Sequence, residues 1–558
     1  MDSTSPPPYS VPQEAASLFH DGILKNLLMA NVLPPHLQEL GKLVRFKGNA
    51  LPSIPINWRL AESISALKAL EATMVNWILE RKYRREPVEV VIDTDHASLF
   101  FMSAPLARIL DKDGTESPIT TTNPKTLKMF PNGDKHRSCD STHRMLATGI
   151  YKTRDGRFYH VHGSMNPDPT LTALGLPLEG EPSDTYEMVV ERVQSKVSQF
   201  DSTTLDSLLN DQYHQAGTIA WSSSEYFSSP HGQQNGKIGL YELIPDPHSS
   251  QPASWWPDHP SLPPSSPKRP LAGLKVVDLT RIIAGPTITR GLAELGASVM
   301  RVTSPQVTDF TTVHHELNWG KWNCSLHLKD NEGDREKLRG LIREADVVVD
   351  GYRPGVMEKL GFGREDVFKL CCGVSLAYGQ AMGVDEAVTP PFPNSDHCTG
   401  VIGTTAILHA LIERASQGGS YGVDVSLNYY SQWLARTCGT YPPALWTTLH
   451  SSHSSPLFHH YHNTRYTLPA MLKFLHQYDE DVLFKEEFFE KRWSGAVGAM
   501  FLIVKPVARY GGGGGEEGVE GEGESDTGVV ELGFQVGTRG NGVDEPEWPD
   551  DLTAEIVS

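Results

Sequence analysis

An α/β fold with a doubly wound parallel sheet is what this sequence predicts, and three observations carry the expectation. Two short β-rich runs, KVVDL at 275–279 and ASVMRV at 297–302, flank a segment with Ile288, Leu292 and Leu295 at helical spacing and Gly296 as a C-terminal stop. Strands spaced in this way, with a helix between them, are parallel and joined by a right-handed crossover. The pattern then continues through NEGDREKLRGLIREA as a helix and DVVVDGY as a third strand.

Around that unit the chain divides by composition. Residues 1–20, with a proline-rich opening and neither a secretory core nor an arginine-rich face, read as a disordered tail. Residues 243–270 are crowded with Pro and Ser and read as a linker, and 511–528, nearly all Gly and Glu, read as a disordered insertion before a C-terminal segment at 529–558. This leaves two folded units, 21–242 and 271–510. Residues 63–100 and 404–434 both run from an Ala/Leu-rich helix through a polar turn into a strand (VEVVID, YGVDVSL) and a second helix. That likeness suggests a partial duplicated half-unit at the N-terminus, although helix-then-strand units also resemble one another by chance.

Composition excludes several classes. Apolar residues make up 39% of the 558 and charged residues 21%, and no apolar run approaches the roughly 20 residues of a membrane span. The net charge of -19 argues against nucleic-acid binding, which needs clustered Lys and Arg. Six scattered cysteines (Cys139, Cys324, Cys371, Cys372, Cys398, Cys438) suit free thiols in a reducing compartment better than a disulfide scaffold. The expected location is intracellular, cytoplasmic ahead of mitochondrial or peroxisomal, since EIVS is no peroxisomal address.

The turn after the first strand, TRIIAGPT, has one glycine followed by proline, so it lacks the repeated N–H groups of a glycine-rich phosphate loop. Phosphates would have to be met by side chains. Arg281, Arg301, Lys321, Lys329 and Arg353 recur after successive predicted strands, where the carboxyl ends of a parallel sheet form a ligand-binding rim. Each alone reads as a solvated charge; their recurrence favours a site.

Four stretches in order, LAGLKVVDLTRIIAGPTITRGLAELGASVMRVTSP, NWGKWNCSLHLK, DVVVDGYRPGVMEKLGFG and NSDHCTGVIGTTAILHALIERASQGGSYGVDVSL, resemble the class III CoA-transferases, the CaiB/BaiF family. The resemblance implies a Rossmann-like sheet with a smaller α+β domain, coenzyme A or acyl-CoA as substrate with no permanently bound cofactor, and a small carboxylic acid as the other partner. It implies CoA contacts by Ile283, Ala284, Gly285, Arg301, Lys321 and Arg353. Side-chain cations can replace a glycine loop as a phosphate cradle. Thr303 stands where the family often has an acidic residue, so it can play no ionic role there. The family's interlocked dimers make a homodimer one assembly open to this chain; the extra N-terminal copy could instead supply that partner surface itself.

The family's nucleophile is an aspartate that follows a strand and a glycine loop; it attacks the acyl-CoA thioester and carries CoA through an enzyme-bound thioester. Here VFKL runs directly into CCGVSLAYGQAMGVDEA, and Glu365, eight places before Gly373, falls in a helix already assigned. A segment of a few dozen residues with the nucleophile is therefore expected to be missing between Leu370 and Cys371. Asp385 and Glu386 are weak substitutes, with a loop or cap role the plainer reading. Asp396 in NSDHCTG matches a position near the active-site loop and is the best remaining site carboxylate. Three functions follow: a CoA-transferase, an acyl-CoA racemase or isomerase of the same family, and an inactive CoA-binding pseudoenzyme.

Two further clusters have plain readings. The histidines of HSSHSSPLFHHYHN (His450, His453, His459, His460, His462) lack accompanying ligands at metal spacing and read as a surface loop. Cys371 and Cys372 have no nearby base to activate a thiol and read as core cysteines. Residues 142–164 resemble the family's smaller domain, with the DG pair turning a hairpin.

Overall fold

A computed structural model of the chain describes residues 8–258, 266–353, 355–360, 362, 374–511 and 530–558. Its N-terminal part is folded almost from the start. The tail expected over 1–20 gives way at Val11–Phe19 to a helix (α1), which buries Val11, Ala15, Leu18 and Phe19. Those four lie at helical spacing, and a stripe of that width is enough to dock a short helix once a core is available.

The core available to it is built on Leu60–Tyr83 (α2), a 24-residue helix whose residues Leu60 to Leu79 are all buried. A strand, Val90–Asp93 (β1), and a helix, Thr94–Leu99 (α3), follow. Asp93 begins α3 by accepting from the backbone N–H groups of Asp95 and His96, so one residue ends the strand and caps the helix.

The parallel sheet comprises Lys275–Leu279 (β2), Ser298–Thr303 (β3), Lys321–Ser325 (β4) and Val347–Asp350 (β5), in the order β4-β3-β2-β5 and parallel throughout. DVVVDGY is thus the fourth strand rather than the third. KWNCS is the one the sequence concealed, because it is short, buried on both faces and carries Lys and Asn among its first three residues. Helix Ala284–Glu294 (α4) links β2 to β3, and Glu332–Glu344 (α5) links β4 to β5. They cover opposite faces: Ile288 and Leu292 share a core with Val276 and Val299, whereas Leu338 and Leu341 share another with Val277, Met300 and Trp322. The direction of winding reverses beside β2.

Beyond the sheet come Val374–Ala381 (α6), then Asn394–Gln417 (α7), Tyr421–Asp424 (β6) and Leu427–Trp433 (α8). Like α2, α7 is 24 residues long and is followed by a four-residue strand and a short helix; α2 and α7 pack together. Helices α4 and α7 approach closely because glycines face the contact. A Cβ on Gly400 would stand 2.4 Å from Thr287, one on Gly403 2.5 Å from Ile288, and one on Gly291 2.5 Å from Thr404.

The expected linker is partly structured. Glu242–Pro245 pairs antiparallel with β6, and buried Trp256 donates its indole N–H to the Ala272 carbonyl at 3.0 Å. Prolines can accept in a ladder and indole can anchor a loop, so Pro/Ser content alone did not forbid structure. A separate small core over residues 146–219 is built on the hairpin Thr148–Lys152 and Phe158–His162, turned at Asp155–Gly156 with Gly156 at φ 80°. The insertion at 511–528 lies, apart from Gly511, outside the described residues. The C-terminal segment packs on the sheet's domain through Val536, Leu552 and Val557.

Candidate active site

The site begins at the carboxyl end of β2. Asp278 is fully buried and gathers four donors: the Thr280 N–H at 3.0 Å, the Thr280 hydroxyl, the Thr289 hydroxyl at 2.6 Å and the Lys321 ammonium at 3.0 Å. This hub fixes the turn leading into α4. Ile282 within the turn adopts φ 71°, a conformation unfavourable for a β-branched side chain and held here by its surroundings. Gly285 lets the helix start lie against the strand end, since a Cβ there would stand 2.6 Å from the Thr280 Cβ. Ile283, Ala284 and Gly285 are all half-buried and form the first turn of α4, which has no side-chain cap. Its opening N–H groups and the helix dipole face outward as an electropositive end.

The predicted cations separate into two groups. Arg301 is 1% exposed and pairs with Asp309 at 2.7 Å while donating to Asn318 and Asn541 at 3.2 Å each. Burial works against ionising Asp309, yet Arg301 and His314 hold its carboxyl far below the usual carboxylate range. Lys321 is 0% exposed and spans Asp278 and the Pro286 carbonyl (2.9 Å); burial, outweighing Asp278, brings its ammonium down to about 8. Both side chains are buried within the sheet's domain and held in ion pairs, Arg301 with Asp309 and Lys321 with Asp278. Arg301 is sealed by Asn541, 240 residues away, a contact that local spacing could not reveal.

Arg281, Lys329 and Arg353 do reach the rim. Arg281 donates to the Thr308 carbonyl at 3.2 Å and lies 5.7 Å from the Tyr352 ring centre. Arg353 is exposed and donates to the His214 carbonyl at 3.3 Å. Beside them, at the carboxyl ends of β2 and β3, opens a cavity of about 530 Å³. Leu279, Val302, Leu328, Met357 and Leu360 give it an apolar lining, and Ser304, Gln306, Tyr352, Lys329 and Lys359 bring polar groups. Of these, only Lys329 had been singled out in the sequence; strand-end position was the available signal for Ser304 and Tyr352.

Asp396 is the third residue of α7 and is half-buried; desolvation pushes its carboxyl up to about 6. It stands one helical turn before Gly400, whose own neighbour is the Ala284 carbonyl, so it shares the side of α7 that meets the start of α4. Asp385 is exposed. Glu386 instead anchors the histidine loop, accepting from the His460 N–H at 2.9 Å and the His459 ring at 3.3 Å. The loop is therefore a seam rather than free surface: His453 is buried against Asp479, and the His460 ring bonds the Ile150 carbonyl at 2.8 Å. No metal-binding group occurs among the described residues. Glu365, Cys371 and Cys372 lie outside them. No described helix is long and apolar enough to cross a membrane.

A parallel sheet with a cavity at its carboxyl rim, an uncapped helix start and a nearby half-buried carboxylate make up the candidate site. The chain belongs to CoA-transferase family III, whose family model matches residues 271–374. It is 55% identical over 582 aligned positions to the acetyl-coenzyme A transferase nodX of Hypoxylon pulicicidum, covering 98% of this chain and 95% of that protein. An acyl-CoA transferase of Gibberella moniliformis is 30% identical over 430 positions, 70% of this chain and 73% of its own length. A solved CaiB/BaiF family protein from Brucella suis shares 28% identity over 30% of this chain and 56% of its own, with a TM-score of 0.26.

Proposed function

We propose that this chain binds coenzyme A thioesters on a Rossmann-like, doubly wound sheet and belongs to the reaction that moves CoA between acyl-CoA and a small carboxylic acid. The carrying observation is the 530 Å³ cavity at the carboxyl rim where winding reverses, the place such sheets use for ligands. The nucleotide end of CoA occupies that cavity, and its thioester arm runs past Ile283, Ala284 and Gly285 toward Asp396. Arg353 and Lys329 border the path. The N-terminal unit is read as a partial duplicate, in keeping with the matching lengths of α2 and α7, and it supplies in cis a surface that a partner subunit would otherwise give. In support, Trp58 and Asn57 donate to the α6 carbonyls of Val374 and Ala377, each at 3.1 Å.

The nucleophile itself is read as absent between Leu370 and Cys371. Three observations support this. The family match stops at residue 374. The alignment to the Hypoxylon relative spans 582 positions whereas 98% of this chain is about 547 residues, so roughly 35 aligned positions of the relative have no counterpart here. The outer edge of β5 has no partner strand among the described residues and leaves Val348 43% exposed, although parallel sheets are ordinarily covered. The same gap favours a second reading, a CoA-binding protein without transferase activity. The test is transfer of CoA from acetyl-CoA to a panel of carboxylic acids, by this chain and by one with the relative's segment inserted after Leu370. Activity only with the segment supports the proposal; activity in neither, with CoA bound by both, supports the second reading.

A further inference from the structure

His453 follows the helix Pro443–Ser452 and is 3% exposed. Both of its ring nitrogens face acceptors: Nδ1 lies 2.8 Å from the Leu449 carbonyl oxygen, and Nε2 meets the carboxylate of Asp479, which ends the helix Thr464–Tyr478. A neutral imidazole has one N–H and can satisfy only one of them. Histidine is the stronger base of the pair, so the ring that holds both acceptors is an imidazolium. Against the same ring stand the Ser452 hydroxyl, 3.2 Å from Nδ1, and the Tyr478 ring, 5.5 Å away. Burial works against the charge, but Asp479 and the backbone of Leu449 and Ser53 outweigh it and hold the ring above the ordinary histidine value.

Nine residues further on, half-buried His462 has the opposite need. Its Nδ1 accepts the His459 N–H at 3.1 Å, which a ring protonated at that nitrogen cannot do. The Tyr466 ring stacks on it at 4.0 Å and the Tyr461 ring lies 4.6 Å away. Burial, with His459 and His460 beside it, brings the ring down to about 4, against the smaller opposing pull of Glu386 and Glu187. The two rings also serve different parts of the molecule. Asp479 belongs to the C-terminal helices, whereas the stretch around His462 meets the small core, where the His460 ring bonds the Ile150 carbonyl.

We propose that residues 453–463 form a two-sided pH clamp, in which a protonated His453 pins the C-terminal helices and a neutral His462 shapes the contact with the small core. The contribution of His453 is complete below the ordinary histidine value and is lost as pH rises through its raised folded value. That of His462 is complete above the ordinary value and is lost as pH falls toward 4. Their sum peaks where both hold, near about pH 6.5, and each limb loosens a different segment.

Hydrogen exchange of the full chain, corrected for the chemical rate at each pH, tests the clamp. From about pH 6 to 9 the amides of 446–456 and 476–483 are expected to lose protection at least about 3-fold, while those of 148–151 keep theirs. His453→Gln is expected to show the weaker protection at both pH values, and Asp479→Asn to move the loss to lower pH by about 1 unit or more. From about pH 6.5 to 4.5 the loss is expected at 459–466 and 148–151 instead, and to be smaller in His462→Asn, whose side-chain oxygen still accepts. Equal protection of 446–456 and 476–483 at pH 6 and 9 in the wild type would overturn the proposal with no variant needed. An alkaline loss unchanged in both His453→Gln and Asp479→Asn would overturn the role of His453. An acid loss equal in His462→Asn and the wild type would overturn that of His462.

Discussion

Lys321 and Lys329 lie eight residues apart and differ in burial: Lys321 is enclosed with Asp278, and Lys329 is exposed beside the rim cavity. Spacing in the sequence marked both as basic groups near strands, but only a contact across 43 residues, to Asp278, reveals that Lys321 is an interior brace. Removing one partner of a buried pair leaves the other charge stranded, so Lys321→Met should lower unfolding free energy by about 3–5 kcal/mol in denaturant titration. Were Lys321 a phosphate ligand, the variant would keep its stability and lose only affinity. Asp396 makes a prediction of opposite sign. Its folded pKa of about 6 exceeds the usual carboxylate value, so the fold disfavours its ionised form; the cost is absent at low pH, grows as pH rises above the unfolded value and is complete above 6. Asp396→Asn should therefore stabilise the chain by about 1–3 kcal/mol at pH 7.5 and by little at pH 4, as read from thermal midpoints at the two pH values.

Among elements, the crossover unit β2–α4–β3 was the most legible, because hydrophobic spacing and Gly296 are local signals. What positions the site was less so. The close approach of α4 and α7 depends on Gly400 and Gly403 meeting Thr287 and Ile288, more than 100 residues earlier, and nothing in NSDHCTGVIG marks those glycines as contacts. Gly400→Ala should cost about 1–3 kcal/mol, because the added methyl overlaps the Thr287 side chain, and Thr287→Ala in the same chain should recover part of it. Strand β4 was missed because it is buried on both faces and short, so it shows no alternation. At β5, a lysine in place of the exposed Val348 should be neutral in this chain. In a chain carrying the relative's segment it should destabilise, if that segment covers the edge; thermal midpoints of the two pairs decide it.

At the scale of the whole molecule, the hairpin over 148–162 was legible from its turn residues, whereas the single core that residues of 21–242 share with residues of 271–510 was not. Tail, linker and histidine loop were each expected to be free, and each is partly tied down by partners far away in sequence. The histidine loop joins the small core to the rest; within it His462 accepts the His459 N–H at Nδ1, and in the hairpin His162 accepts the Ser164 N–H in the same way, which a neutral ring allows. Burial brings the His462 and His160 rings down to about 4. Their stabilising effect is present above the ordinary histidine value and is lost as pH falls toward 4, so the segment 134–228 should become protease-sensitive before the sheet domain does on acidification from pH 7 to 4.5. The central claim, that CoA lies on the carboxyl rim of the sheet, is tested most directly by hydrogen exchange with and without CoA. The account expects protection at 279–285, 302–307, 328–329 and 352–360; protection confined to other segments, with these unchanged, would contradict it.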